Sequence, residues 1–299
     1  MKIKALLFEV DDALSHPEAF HKFWASLRAL NAYRLVLLSN PHNTERATLA
    51  QLEQAQLPTS YDFITGCETM LFERADPSFY IQIVAQLGIE PDESLILSTS
   101  GFDLEIAQQV NIYGYTLVNN ANKPHFFDDF VVWLTQQPSL PSYSLAPHSI
   151  IPNLSGNLGA LTHLVHATPL DYWHQRPEPH EWSILQILTH LIESEVMHQL
   201  PRLQQIVEYE TPFISAPKPP GPDLPAKSTD ALALLSEFTQ LRQQTLAYIQ
   251  KLAPSMWTRT ARHSVFGMTT LLEMAYFTAR HDRLHIQQLC QTIGKCHEA

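Results

Sequence analysis

TARHDRLHIQQL, residues 278–289, places two histidines, His281 and His285, four apart in a stretch with the rhythm of an amphipathic helix. On a helix that spacing sets both side chains on one face with β-carbons about 6 Å apart, so the rings can converge on one ion. Leu271, Met274, Thr278 and Leu289 share their stripe, which turns both rings into a bundle interior. Spacing alone leaves two readings open. The pair is either core histidine bonded to carbonyls or carboxylates, or half of a metal site.

The same rhythm recurs upstream at about residues 154–166, 184–208 and 229–252, and with 271–293 it makes four helices, the count of a four-helix bundle. Two starts carry capping boxes, Ser183 with Gln186 and Thr270 with Glu273, in which hydroxyl and longer side chain satisfy opposite orphan amides. On the second helix Ile184, Leu188 and Leu191 set the core stripe, and His190 sits at its shoulder, able to face a neighbouring helix. His163, His166, His180, His198 and His263 read individually as surface or capping residues, although His198 lies on roughly the same side of its helix as His190.

Strand signals are absent after residue 153 and frequent before it. The runs IKALLF, YRLVLLS, YDFIT, SLILST and IYGYTLV alternate with helical segments at 43–56 and 77–87, which predicts a parallel sheet covered by helices. Between the two rhythms QQPSLPSYSLAPHSIIPN has prolines at 138, 141, 147 and 152, a composition suited to an extended connection. The expected division is therefore an α/β domain over 1–137, a Pro/Ser-rich linker over 138–152 and an all-α domain over 153–299.

Of 299 residues 45% are hydrophobic, enough for more than one core. The 19 Lys+Arg against 30 Asp+Glu give a net charge of -11, which removes the electrostatic case for nucleic acid as a partner. Cys67, Cys290 and Cys296 are too few and too scattered for a disulfide framework, and a reducing cytoplasm is the expected compartment. No apolar run reaches the length of a membrane span or a signal-peptide core, so no membrane partner is expected.

The all-α half resembles the DinB-like (DinB/YfiT) superfamily over about residues 150–295. EWSILQILTHLIESE is similar to that family's Trp-Ser start and His-Leu segment, with Glu193 and Glu195 at its acidic positions. Arg202, the Arg242 helix, Trp257, FGMTTLLEM and ARHDRLHIQQL follow in family order. The resemblance implies an up-down-down-up-type four-helix bundle that binds one divalent metal, Zn²⁺ or Ni²⁺ foremost, through His190, His281 and His285. Three neutral nitrogens leave a coordination position open, the arrangement of catalytic rather than closed structural sites. Glu193 and Asp282 are candidates to orient the far nitrogen of a ligating ring, and Arg202, Arg280 and Arg283 to bind a substrate's carboxylates. The activity implied is metal-dependent thiol S-transfer with a low-molecular-weight thiol. Metal-dependent hydrolysis at the same site, and a non-catalytic sensor or interaction protein, are the alternatives. A homodimer is left open.

The α/β half resembles a capless haloacid dehalogenase-like phosphatase with a Rossmann-like parallel sheet, over about residues 1–137. In ALLFEVDDALS the nucleophilic Asp of that family is replaced by Glu9, Asp11 matches the general acid, and Asp12-Ala13 stands for Gly-Thr. Ser39 matches the phosphate-binding hydroxyl, Arg74 the usual Lys and Asp103 a later acidic position, while Thr99 stands where a metal-binding Asp belongs. Glu9 is a methylene longer than Asp, which displaces the reacting oxygen by about an ångström, and loss of a carboxylate at Thr99 weakens any Mg²⁺ site. The resemblance thus implies a degenerate domain with at most weak phosphatase activity.

Overall fold

The computed structural model describes residues 3–117, 126–136 and 144–298. They form two compact units, Met1–Val84 with Ile89–Ser144, and Leu145–Ala299 with Ala85–Gly88.

In the first unit the chain runs β1 (Ala5–Glu9), α1 (Val10–Ser15), α2 (Pro17–Leu30), β2 (Arg34–Leu38), α3 (Glu45–Gln54), β3 (Phe63–Ile64), α4 (Pro77–Gln86), β4 (Ser94–Ser98), α5 (Gly101–Gln108), β5 (Tyr113–Thr116) and α6 (Phe126–Thr135). All pairings are parallel and the strand order is β3-β2-β1-β4-β5. β1 is buried along its whole length, which is why ALLF is an unbroken apolar run rather than an alternating one. Leu6 and Phe8 point into an aromatic core with Phe20, Phe23 and Phe127, where Phe23 and Phe127 stack at 4.5 Å, and Leu7 is buried on the opposite face. The strand order reverses between β1 and β4. Their carboxyl ends, Glu9 and Ser98, flank the crevice where parallel sheets take ligands.

The second unit starts its first helix earlier than residue 154. A 3-10 turn at Pro147–Ser149 leads straight into α7 (Ile150–Ala167), and Pro152 is accommodated because first-turn amides have no helical partner to lose. The end of the expected linker is therefore helix; its residues 138–143 lie outside the described residues. α8 (Ile184–Ser194), a π-helical turn (Glu195–Gln199) and α9 (Leu200–Glu208) form one continuous rod. Pro201 accounts for the π turn: its ring clashes with the preceding helical turn and it has no amide to bond, so the ladder widens just before it. β6 (Phe213–Ile214), α10 (Ala231–Gln250), β7 (Thr260–His263), β8 (Gly267–Thr270) and α11 (Leu271–Glu298) complete the unit.

β6, β7 and β8 form a small sheet that the sequence reading did not anticipate. Strands of two to four residues are too short for alternation to register. The β7–β8 hairpin turns on Gly267, whose φ of +75° is open to glycine at little cost. Both expected capping boxes are formed: Ser183 with Gln186, and Thr270 with Glu273.

α7 and α8 each pack on both α10 and α11, so the bundle order is α7, α10, α8, α11. Helices adjacent in sequence, α7 with α8 and α10 with α11, face each other diagonally, and the long connections at 168–183 and 251–270 make those crossings. Two apolar clusters fill the interior, one around Leu161, Leu188, Phe238 and Leu289, the other around Leu154, Ile206, Ile249 and Met274. A buried polar layer of Asn153, Asn157, Glu195, Gln199, Arg242, Thr245 and Asp282 accompanies them.

Candidate metal centre

His190 comes from α8, and His281 and His285 from α11. One ring nitrogen of each lies within 4.8 Å of the others, and among the described residues this is the group of His, Cys, Asp or Glu that gathers closely enough to hold a metal. Nε2 of His190 and Nε2 of His281 face each other at 3.3 Å. Two nitrogens bound to one tetrahedral ion at about 2.0–2.1 Å stand about 3.3 Å apart, so the pair is already spaced as ligands. Nδ1 of His285 donates to Gln288 Oε1 at 3.0 Å, which fixes the proton there and leaves Nε2 with its lone pair. Burial, reinforced by the neighbouring histidines, pushes His190 down to about 3 and His285 down to about 4. Both rings are neutral near neutral pH, the form that ligates. The donor set fits a divalent cation that favours nitrogen.

Trp182 closes one side of the cluster, parallel to His285 with centroids 6.0 Å apart and tilted against His190 at 5.1 Å. The other side opens on a cavity of about 810 Å³ lined by Val196, Met197, Phe266 and Phe277 and by Arg202, Lys218 and Lys227. The π turn supplies Val196 to Gln199 to its wall, so the irregularity induced by Pro201 shapes the space beside the histidines.

Beneath His281 lies an ion network. Arg242, wholly buried, bonds Glu195 at 3.2 and 2.7 Å and Asp282 at 3.2 Å, with a closer second contact to Asp282, and Thr245 donates to Glu195. Burial alone would raise the Asp282 carboxyl, but Arg242 holds it below its ordinary value. Nδ1 of His281 faces the same carboxylate at 4.0 Å. At that distance Asp282 makes no hydrogen bond to the His281 ring, and its main partner is Arg242. Glu193 is exposed on the cavity wall, and the buried acid of that segment is Glu195. A signal existed: Glu195 and Arg242 continue apolar stripes, after Leu188 and Leu191 on one rod and Leu234 and Phe238 on the other. A charge in a buried stripe implies a buried partner.

Of the three arginines considered for substrate, Arg202 lines the cavity, whereas Arg283 donates to Asn153 at 2.7 Å and Arg280 is exposed; neither of these two lines it. His198 is a half-buried part of the wall. His263, expected as a surface or capping residue, is buried on β7, where its Nδ1 accepts the backbone amides of Val265 and Phe266, and it lines the same cavity. Only the unrecognised hairpin would have revealed it.

In the first unit Glu9, Arg74 and Asp103 come together. Arg74 bridges Glu9 at 2.9 Å and Asp103 at 3.0 Å, Ser98 donates to Glu9, and Tyr80 donates to Asp103 at 2.9 Å. Burial raises the Glu9 carboxyl despite Arg74. Asp11 is exposed and accepts from Asn40 at 3.2 Å; Asp12, behind it, accepts from the backbone and hydroxyl of Thr99. Ser39 and Arg74 line a separate cavity of about 420 Å³.

No curated protein matches the chain. Among solved structures, YfiT from Bacillus subtilis, described as a probable metal-dependent hydrolase with an unusual four-helix bundle topology, aligns at 20% identity and a TM-score of 0.41 over 52% of this chain and 93% of its own. The family model of the DinB superfamily matches residues 154–289. Residues 154–289 are thus similar to the DinB superfamily, and all three histidines of the cluster fall inside that match.

Proposed function

We propose that His190, His281 and His285 hold one divalent metal, Zn²⁺ or Ni²⁺, and that the cavity beside them serves metal-dependent S-transfer from a low-molecular-weight thiol to an apolar electrophile. The observation that carries this reading is the convergence of three ring nitrogens within 4.8 Å on the wall of an 810 Å³, largely apolar cavity. A bound divalent cation would lower the pKa of a thiol or water at its open position towards neutrality. The chain's own part is to keep His190 and His285 neutral by burial, to orient His285 through Gln288, and to shield the cluster with Trp182. Hydrolysis would gain from a carboxylate base at the cluster, yet Glu195 and Asp282 are both committed to Arg242, and Glu193 is an exposed wall residue. This favours a nucleophile that needs no protein base.

The test is conjugation of monochlorobimane to cysteine or glutathione by metal-loaded protein. Turnover that disappears with His281→Ala is expected. Ester hydrolysis in its place, with no conjugation by any thiol, would overturn transfer in favour of hydrolysis.

For the first unit we propose a degenerate haloacid dehalogenase-like domain that binds a ligand or partner without turnover. Arg74 bridges Glu9 and Asp103, so the carboxylate at the nucleophile position is engaged rather than free to attack. Release of phosphate from p-nitrophenyl phosphate with Mg²⁺, lost on Asp11→Asn, would contradict this.

A further inference from the structure

The cavity wall carries a buried cation without a counter-ion. Arg202 is 7% exposed, donates Nη2 to Ser215 O at 3.1 Å, and has no carboxylate partner among the described residues, whereas Arg242 has two. A guanidinium offers five N–H donors in a planar fork that matches a carboxylate, so most of this one's capacity is unspent. Burial with nothing to offset it pulls the group below its ordinary value.

Beside it stands His263. The residue pairs with Ile214 across the parallel β6–β7 ladder, one position before the Ser215 whose carbonyl holds Arg202. Nδ1 of His263 accepts the backbone amides of Val265 and Phe266 at 3.2 and 3.3 Å, which places the ring proton on Nε2. That nitrogen is buried and has no partner among the described residues, on a side chain only 5% exposed. A buried donor without an acceptor calls for one. Both residues line the cavity that contains the three histidines.

We propose that Arg202 and His263 form an anion subsite that takes the carboxylate of a small amphipathic ligand, its apolar body lying against Val196, Met197, Phe266 and Phe277. This rests on the reading that the cavity takes a small molecule at the three-histidine cluster. Arg202 lies about 18 Å from His190 along the rod at 1.5 Å per residue, and its side chain leans back towards the N-terminus, which narrows the gap. The ligand therefore has separate anionic and reactive ends. Since the chain carries a net charge of -11, general electrostatics repel an anion and recognition falls to the donors of the wall; Lys227 is paired with Glu237 and Lys218 is exposed, which leaves Arg202 and His263 as the buried ones.

The test uses metal-stripped full-length protein, so that carboxylate cannot bind through a metal, and two probes of one carbon skeleton, the anionic 4-phenylbutyrate and the neutral 4-phenylbutanamide. By calorimetry the acid should bind at least tenfold more tightly. Arg202→Gln should bring the two within about twofold, and His263→Phe should cut the preference severalfold. Should Arg202→Gln fail to fold, the wild-type comparison and His263→Phe still decide. Equal affinities for acid and amide in wild type, or a preference untouched by either folded variant, would overturn the subsite. Normal metal loading with equal affinities sinks this proposal alone. Absent metal with the preference intact sinks the metal reading alone.

Discussion

Replacing Arg242 with Met is the most informative structural perturbation. It preserves volume and apolar contact but leaves Glu195 and Asp282 buried, 2% and 3% exposed, without their shared cation. Removing one partner of a buried pair typically costs about 3–5 kcal/mol, chiefly through the charge left behind, and here two carboxylates are stranded. The loss should depend on pH in a defined direction. In wild type Arg242 depresses Asp282, whose contribution is present above its unfolded value of about 3.8 and is lost only at lower pH. In the variant, burial without Arg242 raises that carboxyl, so the folded state binds the extra proton and the stability gap narrows as pH falls. The narrowing is about 1.4 kcal/mol per pH unit for each carboxylate protonated. Urea unfolding of both proteins, followed by helical circular dichroism at pH 7.5 and 5.0, reads it directly. A loss below about 1 kcal/mol at pH 7.5, or a gap that fails to narrow, would refute the assignment of Arg242 as the buried counter-ion.

Metal-free protein should lose stability on mild acidification. The folded values of His190 and His285, about 3 and about 4, lie below the unfolded value near 6.5, so the unfolded chain binds more protons and stability falls as pH drops below 6.5. At pH 5.5 the cost is about 1 kcal/mol for each ring, because both folded values lie well below that pH; a chelated sample equally stable at pH 7.5 and 5.5 would disagree. Gly267→Ala should cost about 1 kcal/mol from backbone strain alone, because φ is +75° and the added carbon meets nothing within 4 Å. No change in the urea midpoint would show that the hairpin relaxes instead. Ser183→Ala, which removes the hydroxyl that caps α8, should cost about 1 kcal/mol, with Ser183→Thr near neutral; equal losses would point to packing rather than the cap.

The helical unit was readable because long amphipathic helices repeat their apolar stripe many times. The stripes therefore place His190, His281 and His285 on facing helices from sequence alone, although spacing does not choose between ligands and core. What escaped the sequence depends on contacts distant along the chain. Arg242 meets residues 47 and 40 positions away, and periodicity cannot say which buried acid faces which buried base. β6 to β8 are shorter than any window that separates a strand from a turn, so the burial of His263 has no signal in the sequence. The helix start moved to Ile150 because a proline in the first turn reads like a linker while costing a helix nothing there. In the parallel sheet, continuous apolar runs gave the strands, but the bridging of Glu9 and Asp103 by Arg74 came only with the crevice geometry.

In the proposed site three histidines from two helices hold one metal. Elemental analysis of purified wild type beside His190→Ala, His281→Ala and His285→Ala tests it most directly. Close to one equivalent of Zn or Ni per wild-type chain is expected, with a large loss in each of the three folded variants. Equal metal content in all four proteins, or none in wild type after reconstitution, would contradict it.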